Sequence, residues 1–326
     1  MKAAVNENYG PAESIEIKDV ARPEIGDEQV LVQVYAAPVT TADWRLRASA
    51  FPGGLWLVGR LMMGLFAPRN KVLGVAFSGR VVSVGEKVTG LRMGDAVFGF
   101  SGSGAHAEYV AIDADKAITA KPENLGYAEA ASLPFGAACA LVFLRDIARI
   151  EPGWKVLVAG ASGGVGSYAV QLARHFGAEV TAITSTGNID MVRDLGANHV
   201  IDYTRDDYAQ GSAQYDLIFD AAGVTRYGEA KRVLKKNGIY LPLEFGVKTM
   251  FQALWARYVD HKRILLSVSG DSKSDLEILV GLINAGALRG VIDQRFAFAD
   301  IVAAHQRVET RHARGTVVVT MTPETA

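Results

Sequence analysis

The sequence predicts an α/β protein in which a doubly wound parallel sheet is joined to a second, β-rich domain. From Lys155 to Val268, six short strands alternate with helical segments, which is the pattern of a Rossmann-type dinucleotide-binding sheet. Each strand is apolar throughout, as expected where both faces of a sheet are covered. Before residue 124, β-branched runs are separated by turn residues instead, and these predict a β-rich region.

The elements of the β-rich region come first. Its predicted strands are Gln29–Val34, Gly79–Val84, Asp95–Phe98 and Ala107–Ile112. From Tyr127 to Ile150 the pattern becomes helical, with interruptions at Pro134 and Gly136.

The parallel sheet follows in order along the chain. The predicted strands are Lys155–Ala159, Glu179–Thr184, His199–Asp202, Tyr215–Asp220, Ile239–Leu243 and Ile264–Val268, and the predicted helices between them are Val165–Phe176, Asp190–Leu195 and Glu229–Lys236. Two more helices, Asp275–Ala285 and Asp300–Thr310, lead to a strand at Thr316–Thr320. This strand has no place among the six, so we assign it to the β-rich domain. The predicted domains are residues 1–123 with 265–326, and residues 124–264.

Composition excludes several classes of function. The net charge of −1 provides no general attraction for nucleic acid or an anionic membrane. The single cysteine, Cys139, excludes intrachain disulfides and any metal site built from several cysteines. The N-terminus lacks a signal-peptide pattern, and glycines, Pro52 and Arg60 interrupt the apolar segment Phe51–Phe66. We therefore predict a cytoplasmic protein with neither a nucleic-acid nor a membrane partner.

A glycine-rich turn lies between the first strand of the sheet and the helix after it. A pyrophosphate group needs free backbone N–H groups at a helix N-terminus and an approach without side chains. The turn has the spacing G-x-x-G-G-x-G in a strand–turn–helix context. We predict dinucleotide binding here, by Gly160, Ser162, Gly163, Gly164, Val165 and Gly166.

The end of the second strand indicates which dinucleotide binds. NAD sites usually place an acidic residue there, which would repel a 2′-phosphate. This chain has Thr184, Ser185 and, after two residues, Asn188, with Arg193 about one helical turn further on. Hydroxyl groups and a nearby cation favour NADPH, although the same hydroxyls are also suited to capping the next helix.

At this point the motifs resemble a known family. The segments Val158–Gly166, Gln171–Ala173 and Leu195–Tyr203 resemble the medium-chain dehydrogenase/reductase superfamily, in particular its zinc-independent quinone oxidoreductase group. Leu73–Gly79 and Gly94–Gly99 resemble the GroES-like domain of that superfamily. The resemblance extends over nearly the whole chain.

The resemblance implies a GroES-like catalytic domain, a Rossmann domain and a homodimer paired through an edge strand of the Rossmann sheet. By position, it implies cofactor contacts at Gly163, Gly164, Val165, Ser185, Tyr203, Gly223, Phe245 and Arg314, and it places Cys139 where the family usually has a threonine near the nicotinamide. Two departures stand out. Gly187 and Asn188 occupy positions where relatives often have Lys or Arg, and Thr40 replaces the asparagine of an Asn-x-x-Asp motif that ends at Asp43.

No metal site is predicted. The zinc enzymes of the superfamily ligate the metal with Cys and a His-Glu pair. The stretch that matches their Gly-His-Glu is Gly74-Val75-Ala76 here, and Val and Ala cannot bind a metal ion.

The candidate catalytic residues are Thr40 and Asp43. Thr40 is a possible donor to a substrate carbonyl, and Asp43 either orients the substrate or caps the helix Trp44–Ala48. We interpret Cys139 as a packing residue and His106 as a turn or strand residue rather than a base.

The Met- and aromatic-rich segment Phe51–Phe66 has two interpretations: an adaptable lid over an apolar substrate, or an internal packing helix. The predicted function is hydride transfer from NADPH to a small apolar substrate, either a quinone or an α,β-unsaturated carbonyl. An enoyl-thioester reductase and a non-catalytic NADPH-binding protein remain alternatives, because a fold alone does not determine function.

Overall fold

A computed structural model describes residues 1–212, 214–268, 270 and 272–321. The described chain divides into two compact units. Unit 1 contains Met1–Phe51, Trp56–Ala138 and the described residues from Asp271 to Ala326; unit 2 contains Pro52–Leu55 and the described residues from Cys139 to Gly270.

The elements of the N-terminal part are mostly strands. They are β1 (Lys2–Val5), β2 (Glu16–Asp19), β3 (Gln29–Val39), α1 (Thr41–Ala48), α2 (Trp56–Met63), β4 (Ala76–Val84), β5 (Ala96–Phe100), β6 (Tyr109–Asp113), β7 (Ile118–Ala120) and α3 (Tyr127–Ala131).

Strands and helices alternate in the middle of the chain. The elements are α4 (Leu133–Val142), which continues as a π-helical stretch over Phe143–Ala148, then β8 (Lys155–Ala159), α5 (Gly166–His175), β9 (Glu179–Thr184), α6 (Ile189–Asp194), β10 (His199–Asp202), β11 (Tyr215–Asp220), α7 (Tyr227–Val233), β12 (Leu234–Pro242), α8 (Val247–Val259) and β13 (Arg263–Ile264). The last part contains α9 (Lys273–Asn284), β14 (Ile292–Ala297), α10 (Ile301–Glu309) and β15 (Thr316–Thr320).

Unit 1 is built on a largely antiparallel sheet. In its described residues, seven strands form this sheet in the order β14-β15-β3-β4-β5-β7, with β6 paired to β3, and β1 pairs with β2 separately. The C-terminal strand β15 runs antiparallel to β3, with Val317 opposite Val39. Strand β15 therefore lies in the β-rich sheet, and the sequence-based assignment places it in the β-rich domain. The inward side chains, Phe77 and Val32 among them, form a fully buried core.

Unit 2 is a parallel sheet with the order β10-β9-β8-β11-β12-β13. Numbered along this unit, the order is the 3-2-1-4-5-6 arrangement of dinucleotide-binding domains. The apolar residues of β8, β9, β11 and β12 are buried, as expected for a sheet covered on both faces. The predicted α/β fold class, with a Rossmann sheet beside a β-rich domain, is thereby confirmed.

Several predicted boundaries are wrong. The helix predicted for Glu229–Lys236 ends at Val233, because the chain is already extended from Leu234 onward and pairs with β11. The strand predicted for Ile264–Val268 is only the two-residue β13, which pairs with Ile239 and Tyr240. Helix α1 begins at Thr41 rather than Trp44. Among the described helices, none combines the length and the apolar character needed to cross a lipid bilayer.

Candidate functional site

The glycine turn connects β8 to α5 in unit 2. Gly160 has a φ of +71°, and a Cβ atom there would lie 2.5 Å from the Cβ of Ala222, so only glycine fits. Within the described residues, the backbone N–H groups of Gly164, Val165 and Gly166 have no acceptor. Unpaired N–H groups at a helix N-terminus form an anion site, so this turn fits a pyrophosphate group.

Ser162 joins the turn to the end of β9. Its Oγ accepts hydrogen bonds from Thr184 Oγ1 at 3.0 Å and from Asn188 Nδ2 at 3.1 Å. A hydroxyl group accepts two hydrogen bonds and donates one, so the proton of Ser162 remains available to a further acceptor. Asn188 Nδ2 also donates to Ser185 Oγ at 3.2 Å, and the buried Oδ1 of Asn188 has no partner among the described residues. The cluster is therefore incomplete without a polar ligand.

Asp202, a carboxylate that the sequence analysis did not select, lies next to this cluster. It accepts hydrogen bonds from Thr186 Oγ1 at 2.5 Å and from both the backbone N–H and the hydroxyl of Thr204. The Thr186 hydrogen bond, followed by that from the Thr204 hydroxyl, lowers the pKa of Asp202, so the carboxylate is charged at neutral pH. The signal was present in the sequence: neighbouring parallel strands end at one edge of a sheet, and Asp202 ends the strand beside β9.

Tyr203 and Arg193, which the sequence also predicts near the phosphate, do not join this cluster through their side chains. Tyr203 donates its backbone N–H to Thr184 O at 3.1 Å, and its side chain is exposed. Arg193 is paired with Asp190 at 3.8 Å, on the exposed surface of α6. The sequence suggests that Arg193 adds positive charge for binding a phosphate, but the structure pairs its guanidinium group with Asp190 instead.

Gly223 and Phe245 lie on the loops that follow β11 and β12. The buried Asp220 shapes the first loop by accepting hydrogen bonds from the N–H groups of Ala222, Val224 and Thr225. Gly223 has a φ of +64°, and a Cβ atom on it would lie 2.7 Å from Glu244 Oε2. The two loops are therefore in contact, next to the glycine turn. Asp220 and Glu244 were not selected from the sequence.

The two remaining predicted cofactor residues belong to different units. Cys139 is buried in α4 and belongs to unit 2. Arg314 is an exposed residue of unit 1, and its backbone N–H donates to Asp293 Oδ1 at 3.0 Å.

Thr40 and Asp43 form the N-terminal cap of α1 in unit 1. Asp43 Oδ2 accepts hydrogen bonds from the Thr40 N–H at 2.8 Å and from the Thr40 hydroxyl at 2.6 Å, and Thr40 Oγ1 accepts the Asp43 N–H at 3.3 Å. Asp43 Oδ1 accepts the N–H of Val75 at 3.0 Å. Asp43 is only 1% exposed. Both carboxylate oxygens therefore bind the backbone, and the hydroxyl proton of Thr40 is directed at Asp43.

The side chains around Val75 give no metal-binding arrangement. Val75 and Ala76 are buried and have no ligand atoms in their side chains. Throughout the described ranges there is no group of three or more His, Cys, Asp or Glu side chains suited to a metal ion.

A cavity of about 280 Å³ lies in unit 1 beside Asp43 and Val75. Its apolar wall includes Leu46, Met62 and Met63. The segment Phe51–Phe66 contains α2, whose residues Trp56 and Met62 are 55% and 62% exposed. The side chains of an internal packing helix would be buried, so this exposure argues against that interpretation of the segment.

Two histidines of unit 1, His106 and His305, are fully buried. The Nε2–H of His106 donates to Pro38 O at 2.9 Å, two residues before Thr40, which makes His106 a structural residue as the sequence analysis interprets it. The His305 ring packs edge-on against it at 5.5 Å between centroids. Both ring nitrogens of His305 lack a partner among the described residues. Burial, then the proximity of His106 and of Arg47, holds the pKa of His305 well below its usual value.

This burial predicts an acid-sensitive unfolding free energy. Below about pH 6.5 the unfolded chain protonates His305 and the folded chain does not, so stability should fall by up to about 1.4 kcal/mol per pH unit. His305→Leu should remove that part of the dependence, which urea unfolding at about pH 7.5 and about pH 5.5 would measure. His312→Leu, at an exposed position, is the control. Equal pH dependence in the wild type and His305→Leu would contradict the assignment.

Comparison with known proteins agrees with this architecture. A family model described as an alcohol dehydrogenase GroES-like domain matches residues 26–123, and one described as a zinc-binding dehydrogenase matches residues 195–319. A 2-methylene-furan-3-one reductase of Solanum lycopersicum is 33% identical over 98% of this chain and 79% of its own length. An NADPH-dependent alkenal/one oxidoreductase of Arabidopsis thaliana is 32% identical over the same shares.

Solved structures give the same result. The quinone oxidoreductase from Coxiella burnetii superposes with a TM-score of 0.87, at 29% identity over 99% of each chain. With the strand order of unit 2 and the GroES-like match in unit 1, the predicted family is confirmed. The chain belongs to the medium-chain dehydrogenase/reductase superfamily, in its quinone oxidoreductase-like branch.

Proposed function

We propose that this chain is a zinc-independent, NADPH-dependent oxidoreductase that reduces a quinone or the C=C bond of an α,β-unsaturated carbonyl. Relatives named quinone oxidoreductase and alkenal/one oxidoreductase support the reaction class. The observation that carries the proposal is the incomplete polar cluster of Ser162 and Asn188 beside unpaired N–H groups of the glycine turn. The proposal includes a GroES-like catalytic domain (residues 1–123 and 265–326), a Rossmann domain (residues 124–264), a cytoplasmic location and a homodimer.

The chain's residues divide the binding of the dinucleotide between them. The N–H groups of Gly164, Val165 and Gly166 bind the pyrophosphate, and the other proposed contacts are Gly160, Ser162, Gly163, Thr184, Ser185, Asn188, Tyr203, Gly223, Phe245, Arg314 and Cys139. When bound, the nicotinamide supplies the hydride. Gly160 and Gly223 let the turn pack against Ala222 and the loop after β11 pack against Glu244, because a Cβ atom at either glycine would clash there.

The preference for NADPH rests on the donors at the end of β9. The Ser162 and Ser185 hydroxyls each accept a hydrogen bond from Asn188, which directs their protons towards a ligand. Charged Asp202 nearby opposes a phosphate, but it is stabilised by the hydroxyls of Thr186 and Thr204 and faces them.

Ser162→Ala should weaken NADPH binding by about tenfold or more, because a hydrogen bond to a charged group contributes about 1.5–3 kcal/mol. NADH binding should weaken less. Fluorescence titration with both cofactors measures the two dissociation constants. Ser101→Ala, a partly buried serine of unit 1, is the matched control. Equal losses for NADPH and NADH would contradict a 2′-phosphate contact, and equal wild-type affinities would contradict the NADPH preference.

Reduction without zinc requires mainly that this chain hold the substrate close to the nicotinamide. Thr40 and Asp43 act as positioning residues in this proposal, because their polar atoms hold one another and the backbone of Val75. Hydride addition gives an enolate or a hydroquinone monoanion, and this anion takes its proton from solvent water, so no general acid is needed.

The cavity of unit 1 is the proposed site for the apolar part of the substrate, with α2 as an adaptable lid. Met62→Ala removes apolar wall, so the KM for long-chain enones should rise by about three- to tenfold, with a smaller change for short ones. Met93→Ala, exposed and outside the cavity, is the control. Unchanged KM values along an enone chain-length series, for Met62→Ala and for Trp56→Ala, would contradict the lid.

An NADPH-consumption screen over quinones, enones, enoyl thioesters and aldehydes tests the proposed function. We expect turnover of quinones or enones that is insensitive to a metal chelator. Turnover restricted to enoyl thioesters would replace the proposal with an enoyl-thioester reductase. Tight NADPH binding without turnover of any substrate would indicate a non-catalytic nucleotide-binding protein.

A further inference from the structure

Helix α8 of unit 2 presents an apolar face to solvent. Six large apolar side chains on it are exposed: Val247, Met250, Phe251, Leu254, Trp255 and Tyr258. Spacings of three and four residues place them on one side of the helix. Phe251 is 68% and Tyr258 is 78% exposed. We call these six residues the α8 stripe.

The rest of unit 2 holds this helix in place. Ala256, on the opposite side, is fully buried and packs in the same core cluster as Tyr227 and Tyr240. At its start, the N–H of Val247 donates to Gly53 O at 3.0 Å, and after its end Tyr227 Oη donates to Asp260 Oδ2 at 2.9 Å. The α8 stripe is therefore the outer face of an anchored helix.

Cations border the stripe on both sides. At about 100° per residue, Lys248 and Arg257 lie on its two opposite flanks. Lys262 and Arg263 follow the helix. In the described residues, none of these four side chains has a carboxylate within ion-pairing distance. The one acidic residue between Gly246 and Ile264, Asp260, accepts its hydrogen bond from Tyr227. This surface is thus locally cationic in a chain whose net charge is −1.

We propose that the α8 stripe docks onto the surface of an anionic lipid bilayer, with its apolar side chains at the acyl boundary and its flanking cations at lipid phosphates. An apolar face with aromatic residues, bordered by Lys and Arg, is the pattern of helices that lie in the membrane interface. An anionic surface complements the unpaired cations. A second copy of the chain, seated on the stripe by a twofold axis, would instead bring like charges together.

This proposal departs from the sequence expectation of no membrane partner. That expectation used the net charge of the whole chain and the length of apolar runs, and neither measure detects a short helix with a local excess of cations. The docking does not depend on the reaction proposed above, and its test uses no turnover measurement.

Co-sedimentation of the full-length protein with vesicles tests the docking. We expect binding to vesicles of phosphatidylcholine with about one-third phosphatidylglycerol, weaker binding to phosphatidylcholine alone, and a loss of binding as salt is added. The double variant Lys248→Gln/Arg257→Gln should bind the anionic vesicles about 30-fold more weakly. Phe251→Ser/Trp255→Ser should bind at least about tenfold more weakly.

Matched controls lie on unit 1. Met93 is 70% exposed and apolar, so Met93→Ser controls for loss of exposed apolar surface. Arg92→Gln/Lys116→Gln removes two exposed cations elsewhere. Both controls should bind as the wild type does, and all variants should retain the wild-type thermal unfolding midpoint. If the aromatic variant misfolds, the charge variant tests the proposal alone.

Three results would overturn the docking. The first is no wild-type binding to anionic vesicles, and the second is equal binding by the wild type and the charge variant. The third is an aromatic variant that changes the oligomeric state, as measured by analytical ultracentrifugation, while vesicle binding persists; a second copy would then cover the stripe.

Discussion

Replacing Gly166 by alanine should abolish dinucleotide binding and destabilise unit 2. The added Cβ atom would lie 2.0 Å from Gly160 O and 2.9 Å from the Cα of Ala161. These are backbone atoms of the turn itself, so the turn must open. Overpacking of this kind costs about 1–3 kcal/mol or more, and the N–H groups of Gly164 and Val165 would lose their common orientation. Urea unfolding and fluorescence titration with NADPH measure the two effects.

Two other glycines make this test specific. A Cβ atom on Gly163 would lie 3.4 Å from its nearest neighbour, Gly160 O, so Gly163→Ala should fold normally. It should still weaken NADPH binding by about tenfold or more if the open side of the turn receives the pyrophosphate. A Cβ atom on Gly281 of α9 would have no described neighbour within 4 Å, so Gly281→Ala should leave binding unchanged and stabilise the helix by up to about 1 kcal/mol. Normal NADPH affinity in Gly166→Ala would refute the assignment of the turn.

Replacing Asp43 by alanine should produce the largest loss of stability in unit 1. The change leaves the buried N–H groups of Thr40 and Val75 without their acceptor, and each unsatisfied group costs about 1–3 kcal/mol. Thr40 Oγ1 can still accept the backbone N–H of residue 43, so this part of the α1 cap is kept. For two groups we expect the free energy of unfolding to fall by about 2–6 kcal/mol in total, as measured by urea unfolding.

Conservative variants separate a positioning role from a catalytic one. Both carboxylate oxygens of Asp43 accept hydrogen bonds, and an asparagine side chain has only one acceptor oxygen. Asp43→Asn should therefore lower the free energy of unfolding by roughly half as much as Asp43→Ala does. Thr40→Ser keeps the cap and should remain within about 0.5 kcal/mol of the wild type. If Asp43→Asn instead keeps full stability and loses turnover with an unchanged KM, Asp43 acts on the substrate and the positioning assignment is wrong.

The sequence predicts the parts of the fold that local patterns determine. Continuous apolar strands such as Lys155–Ala159, followed by glycines and a helix, are sufficient to predict the parallel sheet and the Gly160–Gly166 turn. The end of α7 was not predictable, because Leu234–Lys236 suits a helix and becomes a strand only through pairing with β11.

For the candidate site, the sequence predicts several of the residues but not the contacts between them. Ser162, Thr184 and Asn188 were selected as polar residues near a phosphate, but their mutual hydrogen bonds depend on which strands are neighbours. Asp202 was missed although it ends a predicted strand, because its hydrogen bond from Thr186 depends on that strand lying beside β9. Thr40 and Asp43 were selected as catalytic candidates, and no sequence pattern reveals that Val75 completes the cap.

The contact between Gly53 and Gly246 has a consequence for synthesis of the chain on the ribosome. A Cβ atom on Gly53 would lie 2.4 Å from the Cα of Gly246, and one on Gly246 would lie 2.3 Å from the Cα of Gly53. Pro52–Leu55 therefore emerges early but finds its place in unit 2 only after Gly246 has been made. Such a long-range closure is late and slow. A separately expressed fragment of residues 139–270 would lack this piece, and the first turn of α8 would begin with an unanchored amide.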